Sequence, residues 1–166
     1  MSNITELLGY INAKNGTSFT EAQLTIGAPA AIEGALEGQR NTTVEVTGVG
    51  LQGYTGSKTF NYFRLDLAKA FEGVAGGLVA YGPRDVGTSV DLLDDIKTQT
   101  GVDILASDIV NEAVDFSAGG SYTLKAAPGN LKWIGEVVVT ISLDQTDIND
   151  SLTQGDLDGF VYPTIS

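Results

Sequence analysis

The 166-residue chain contains neither cysteine nor histidine. Without cysteine there is no disulfide framework, no thiolate nucleophile and no thiolate metal site. Without histidine it lacks the side chain that most often serves as general base and as metal ligand. An enzyme built on this sequence has only carboxylates, Lys, Tyr, Ser or Thr to work with. Positive charge is also scarce, with nine Lys and Arg against 21 Asp and Glu, a net charge of −12. Such a surface repels nucleic acid phosphate and anionic lipid, so neither is expected as a direct partner. It favours solubility and suits a basic patch on another protein. No apolar run approaches the roughly 20 residues that span a bilayer. Met1 leads into a polar, amphipathic stretch and not into a basic segment with an apolar run behind it. The expectation is a soluble chain made and kept inside a cell.

What is present is a pattern used twice. NITELLGYINAKNGTSFTEAQLT, from Asn3 to Thr25, aligns without a gap on TSVDLLDDIKTQTGVDILASDIV, from Thr88 to Val110, at an offset of 85. Leu7 falls on Leu92, Leu8 on Leu93, Ile11 on Ile96 and Gly16 on Gly101. Ile4, Leu7, Leu8 and Ile11 make one helical stripe over residues 4–14. Val90, Leu92, Leu93 and Ile96 make the second. Asn3 with Glu6, and Thr88 with Asp91, have the spacing of a capping box. Gly16 and Gly101 supply the left-handed residue that ends a helix. Ser18-Phe19-Thr20-Glu21 is a second start signal that opens only a turn.

Strand signals follow each helix. Ala30–Ile32 reads as a short extended piece inside a loose Gly27–Gln39 loop. Thr42–Thr47 alternates, with Val44 and Val46 on one side and Thr43, Glu45 and Thr47 on the other. Gly48, Gly50 and Gly53 mark a turn zone. Lys58–Leu67 has large residues at both parities, which predicts a long strand covered on both faces. The bridge, 68–87, is glycine-rich and is expected to be an exposed or partner-ordered loop. Ile104–Val114 reads as a turn or short helix leading into a strand. Ser121–Ala127 and Leu131–Leu143 form a predicted hairpin with Pro128-Gly129-Asn130 at its tip. Its strands match those of the first half at an offset of 78–79, Val44 falling on Tyr122 and Val46 on Leu124. The fold class expected is α+β: mostly antiparallel strands with two small amphipathic helices, in a single domain over 1–166. A duplicated helix-turn-strands unit gives it lobes at 3–67 and 88–143. An acidic tail, 144–166, closes the chain, and Phe160-Val161-Tyr162 within it reads as a short strand or a plug that tucks into the body or a neighbour.

Asp144, Asp147, Asp150, Asp156 and Asp158 crowd the tail, but their spacing of three, three, six and two departs from a calcium loop, which needs a run of acids at alternate positions and a closing Glu. A solvated loop is the reading taken. Asp91, Asp94 and Asp95 lie on one helix, where Asp94 and Asp95 diverge by about 100°; they read as its wet face and not as a hydrolytic carboxylate pair. Gly73–Gly77 opens no helix and lacks the Lys of a phosphate loop. Trp133, Tyr54, Tyr62, Phe60 and Phe63 could form a sugar-binding platform; their strand spacing fits core packing better. Arg64 stands beside Asp66 and is expected to be paired internally. No catalytic, cofactor-binding or metal residue is assigned.

NGTSFTEAQLTIGAP, VEVTGVGLQGYTGSKTFNYFRLDL and DLDGFVYP together resemble a family of small virion structural proteins of large tailed bacteriophages. The similarity is clearest over residues 4–67 and again at 152–163. The shared pattern is one of packing and turn residues and transfers no active site. It implies a virion component, assembled in the host cytoplasm, whose partners are other virion proteins and copies of itself. A capsid decoration or accessory role is the first expectation, and a tail-tube, neck or baseplate protein the second. A glycan-binding module is the alternative of another class, and a carboxylate hydrolase a third. The contacts expected in assembly are the Gly27–Gln39 loop, the Gly73–Arg84 loop and the Gly159–Ser166 end.

Overall fold

The computed structural model describes residues 2–82 and 86–143. The expectations for the acidic tail, including its calcium reading and Phe160–Tyr162, lie outside the described residues, as does the Pro83–Asp85 part of the bridge. Helix α1 (Asn3–Asn15) buries Leu7, Leu8 and Ile11 of the stripe read from spacing, while Ile4, at its first turn, is exposed. Its cap lies one residue earlier than expected: Ser2 Oγ accepts from the Thr5 N–H at 3.2 Å. Asn3 and Glu6 are drawn to distant partners, Asp108 and Lys132, and so do not form the box. Gly16, at φ 65°, ends the helix as predicted. The turn after it is closed by Gln23, whose side chain accepts from the Thr20 N–H at 2.9 Å.

The first lobe is completed by one antiparallel sheet of β1 (Leu24–Ile26), β2 (Ala30–Ala31), β3 (Thr42–Gly48) and β4 (Ser57–Tyr62). Strand β3 pairs with β1 and β2 along one edge and with β4 along the other. The alternation of β3 is as read: Thr42, Val44 and Val46 are buried and Glu45 and Thr47 exposed. Leu7, Ile11, Val44 and Val46 form this lobe's core, with Phe60 and Tyr62 packed at its margin.

The strand expected over Lys58–Leu67 differs from prediction. It stops at Tyr62 and is covered, in part, on one face only: Phe60 and Tyr62 are half-buried against the core while Ser57, Lys58, Thr59 and Asn61 are exposed. The Asn41 side chain ends it by holding both backbone groups of Arg64, accepting from its N–H at 2.8 Å and donating to its carbonyl at 2.9 Å. The chain then crosses to the second lobe, where β5 (Leu65–Asp66) runs parallel to β10 (Trp133–Ile134). A third helix, the four-residue α2 (Leu67–Ala70), follows with Asp66 as its cap.

The bridge is also corrected. Within it β6 (Leu78–Ala80) enters the second core with Leu78 and Ala80 buried. Phe71 is buried beside them. After β7 (Val86–Thr88), Thr88 and Asp91 form the predicted box, the Thr88 N–H donating to Asp91 Oδ2 at 2.6 Å. Helix α3 (Leu93–Thr100) ends at Gly101, φ 74°. A short 3-10 turn, Ala106–Asp108, precedes β8 (Ala113–Asp115), which pairs with β7. The predicted hairpin is present as β9 (Gly120–Lys125) and β11 (Glu136–Ile141), with Gly129 at φ 73° in its turn. Strand β6 lies parallel on the far edge of β11. The fold is thus α+β with mostly antiparallel strands. No helix among the described residues is long and apolar enough to cross a membrane.

The two hairpins share one register. Pairs run from Thr42↔Tyr62 to Thr47↔Ser57 in the first lobe, and from Gly120↔Ile141 to Lys125↔Glu136 in the second. Adding 78 to the first strand and 79 to the second converts one set into the other. The helix counterparts Leu92, Leu93 and Ile96 are buried like Leu7, Leu8 and Ile11. The post-helix turns match too: Asp108 accepts from the Leu105 N–H as Gln23 does from Thr20.

One close approach tests the second core. Gly82 lies against the fully buried Phe116 ring, where an added Cβ would overlap ring carbons. Gly82→Ala is expected to cost about 1–3 kcal/mol of stability, read as a lowered urea midpoint with unchanged slope.

Candidate functional site

Polar groups between the lobes are committed to one another. Asp108 is 1% exposed and is the buried acid of the molecule's described part. Its Oδ1 accepts from Asn3 Nδ2 at 2.6 Å and Asn130 Nδ2 at 2.9 Å, and its Oδ2 from the Leu105 N–H at 3.0 Å. Asn130 in turn accepts, through Oδ1, from the backbone N–H groups of Lys132 and Trp133, each at 2.8 Å. Arg64 does not pair with Asp66. It donates from Nε to Thr42 Oγ1 at 2.8 Å and from Nη1 to the Asn130 carbonyl at 3.0 Å, while Asp66 accepts from the Lys69 N–H. Burial lowers the Arg64 pKa from its ordinary value. Glu6 of α1 pairs with Lys132 at 2.9 Å, and that hydrogen bond holds the Glu6 carboxyl below the usual range. These contacts join the start of α1, the end of β4 and the turn at Asn130.

Beside this seam the first lobe is open. A cleft of about 290 Å³ runs along Leu7, Tyr10, Tyr62, Phe63, Leu65 and Leu131. It continues, through shared Leu7, Tyr10 and Tyr62, into a trough of about 720 Å³ between α1 and β4, where Lys14 and Arg40 stand among apolar groups. Tyr10 is 64% exposed, Phe63 49% and Leu65 38%. The Tyr62 hydroxyl is buried and has no hydrogen-bond partner among the described residues, and burial raises its pKa. Apolar lining with a few polar atoms is the composition of a docking surface.

The candidates read from sequence are dispersed. Asp91 accepts from the Thr88 N–H at the start of the 3-10 turn Ser89–Leu92 that precedes α3, Asp95 accepts from the Tyr81 N–H at 2.6 Å, and Asp94 is exposed. No carboxylate pair faces a cleft there. Among the described residues no cluster of three or more acidic ligands could hold a metal. The five aromatics do not share a face. Trp133 is buried and stacks on Phe71 at 6.4 Å, Tyr54 meets Phe19 edge-on at 5.1 Å, and Phe60 and Tyr62 flank the first core. Sequence reasoning missed Asp108 and the cross-lobe role of Asn130. The available signal was a lone Asp in the otherwise uncharged stretch Ile104–Val110.

A family of unknown function (DUF7941) matches residues 3–166, and the chain belongs to it. No curated protein and no solved structure matches the chain.

Two substitutions test the seam. Asp108→Ala leaves the Asn130 amide and the Leu105 N–H without this acceptor and the Asn3 amide with only its 3.4 Å bond to Asn130 Oδ1, and is expected to cost about 2–3 kcal/mol in chemical denaturation. Glu6→Gln is expected to cost no more than about 1 kcal/mol at neutral pH, since the pair is partly solvated. Because the folded-state pKa of Glu6 is depressed, its contribution is complete above the unfolded value and is lost as pH falls through the folded one. The two proteins should therefore converge in stability below pH 4.5, as urea melts at several pH values will read.

Proposed function

We propose that this family member is a non-enzymatic structural protein of a tailed-phage virion, acting by repeated contacts with other virion proteins and with copies of itself. Capsid decoration is the first reading and a tail-tube, neck or baseplate role the second. One observation carries the proposal: the described acids and amides near the lobe seam hold the fold together, while beside them Tyr10, Phe63 and Leu65 form an exposed apolar patch. Aromatic anchors of this kind dominate protein–protein binding energies. The segments that carry the resemblance to virion proteins build much of this lobe, from the turn after α1 through β1, β3 and β4. The net charge of −12 suits the outside of a particle, away from packaged DNA. An acidic lumen through which DNA slides fits the second reading.

The test is placement. Particles separated into heads and tails and analysed by mass spectrometry should contain the chain in one fraction; absence from both refutes the proposal. Tyr10→Ser combined with Phe63→Ser should lower incorporation by about ten-fold or more, with the melting temperature little changed. Removing residues 159–166 should also lower incorporation while the domain stays folded.

A further inference from the structure

The end of the first lobe that carries the β3–β4 connection pairs a knob with a pocket. Leu51 stands on the 3-10 turn Gly50–Gln52 and is 97% exposed, more than any other large apolar side chain among the described residues. An exposed leucine is ordinary on a loose loop, but this loop is fixed. The Val49 N–H donates to the Gln23 carbonyl at 2.9 Å and the Gly48 N–H to the Gly56 carbonyl at 2.9 Å. The Gln52 and Gly53 N–H groups close the turn onto the Val49 and Gly50 carbonyls. Gly48 allows the base of the loop to shut, since a Cβ there would lie 2.8 Å from the Tyr54 carbonyl carbon. The leucine is therefore held out in water by a preorganised backbone, and covering it costs little loop entropy.

Val49–Gly53 joins Gly48 to Tyr54, and both of those residues line a cavity of about 340 Å³. Ile11 and Val46 of the first core also line it, as do Phe19, Leu24 and Phe60. Tyr54 meets Phe19 edge-on at its wall. Knob and pocket are thus neighbours on one surface. An apolar projection beside an apolar recess is self-complementary: a two-fold axis between two copies can set each Leu51 into the other's pocket at once.

Charge selects the occupant. The chain holds 21 acids in 166 residues, yet none occurs from Val46 to Arg64. The described residues that line the pocket include no acid either, and Lys58 is the charged one among them. Glu45 precedes the run on the other side of β3, where its carboxylate accepts from Ser57 Oγ at 2.6 Å. Copies of net charge −12 repel one another wherever acids meet, so a like-charged partner is admitted where acids are missing. A basic partner is drawn to the acidic surface instead. We infer that this face is a contact between two copies of the chain, the Leu51 of each seated in the cavity beside Tyr54 and Phe19 of the other. The inference rests on the structural role proposed above for its use in assembly, and it names one of the self-contacts that role requires.

The test reads the purified full chain. Its mass by sedimentation should rise from one chain to two between about 1 and 100 μM. Leu51→Glu puts an acid at the centre of the contact and should weaken self-association by about thirty-fold or more. Its melting temperature should not change, since so exposed a side chain touches little of its own fold. Leu51→Met keeps an apolar knob and should keep the dimer. The amide NMR signals of Phe19, Tyr54, Thr55 and Ser57 should shift with concentration in the natural chain and hold still in Leu51→Glu. A chain that stays monomeric to about 100 μM, or a dimer indifferent to Leu51→Glu, overturns the inference. A monomer that binds phosphatidylcholine vesicles through Leu51 also overturns it, and makes the knob a lipid anchor. Particle fractionation is a separate readout: a dimer missing from virions sinks the virion reading and leaves this contact standing, and a monomer found in virions does the reverse.

Discussion

The fold depends on one buried carboxylate. Asp108 sits at the meeting point of the α1 start, the 3-10 turn of the second lobe and the hairpin turn at Asn130, and among the described residues it enters no ion pair. Amide donors satisfy it instead. A buried charge is tolerated only when its lone pairs are filled, so the three segments must arrive together for any of them to be stable there. Asn130 extends the constraint by accepting from two backbone N–H groups at the entry to β10. Arg64 completes it by tying the Asn130 carbonyl to Thr42 of β3. Two apolar cores that share little side-chain contact are thereby held as one body. The polar seam fixes their register in a way that greasy contact alone would not.

Each lobe solves the same packing problem with the same parts. A helix with a Leu-Leu-x-x-Ile stripe covers one face of an antiparallel hairpin, and a left-handed glycine ends the helix. The lobes diverge in where the remaining strands attach. In the first, β1 and β2 extend the sheet from β3; in the second, β6 extends it from β11. The consequence is energetic as well as topological. Val139 is fully buried where Phe60 is half-buried, so an equivalent register yields a closed core on one side and an open one on the other.

Legibility followed the range of the forces involved. The helix stripes, the terminating glycines, the alternation of β3 and the Pro128-Gly129-Asn130 turn are written in local spacing, and all could be read. The cap at Ser2 was misplaced because Asn3 and Glu6 answer to Asp108 and Lys132, more than a hundred residues away. Lys58–Leu67 looked like a continuous strand because its residues favour strands; the Asn41 side chain, which breaks it, belongs to another segment. Leu78 and Ala80 were hidden among glycines, and their burial comes from pairing with β11, a contact no local window contains. Of the candidate surface, Tyr62 and Phe63 were noticed as aromatics, while Tyr10 was not, since an exposed tyrosine on a polar helix face carries no periodic signal.

Charge decides how such a surface can be used. A chain of net charge −12 resists close approach by its own copies unless contact is short-ranged or locally neutral. The trough meets that condition. Lys14 and Arg40 line it, Lys58 stands on the strand beside it, and the apolar groups between them are desolvated at little cost when covered. The acidic exterior therefore disfavours indiscriminate association, while the trough brings together cations that make no ion pair among the described residues and an edge of β4 that pairs with no described strand.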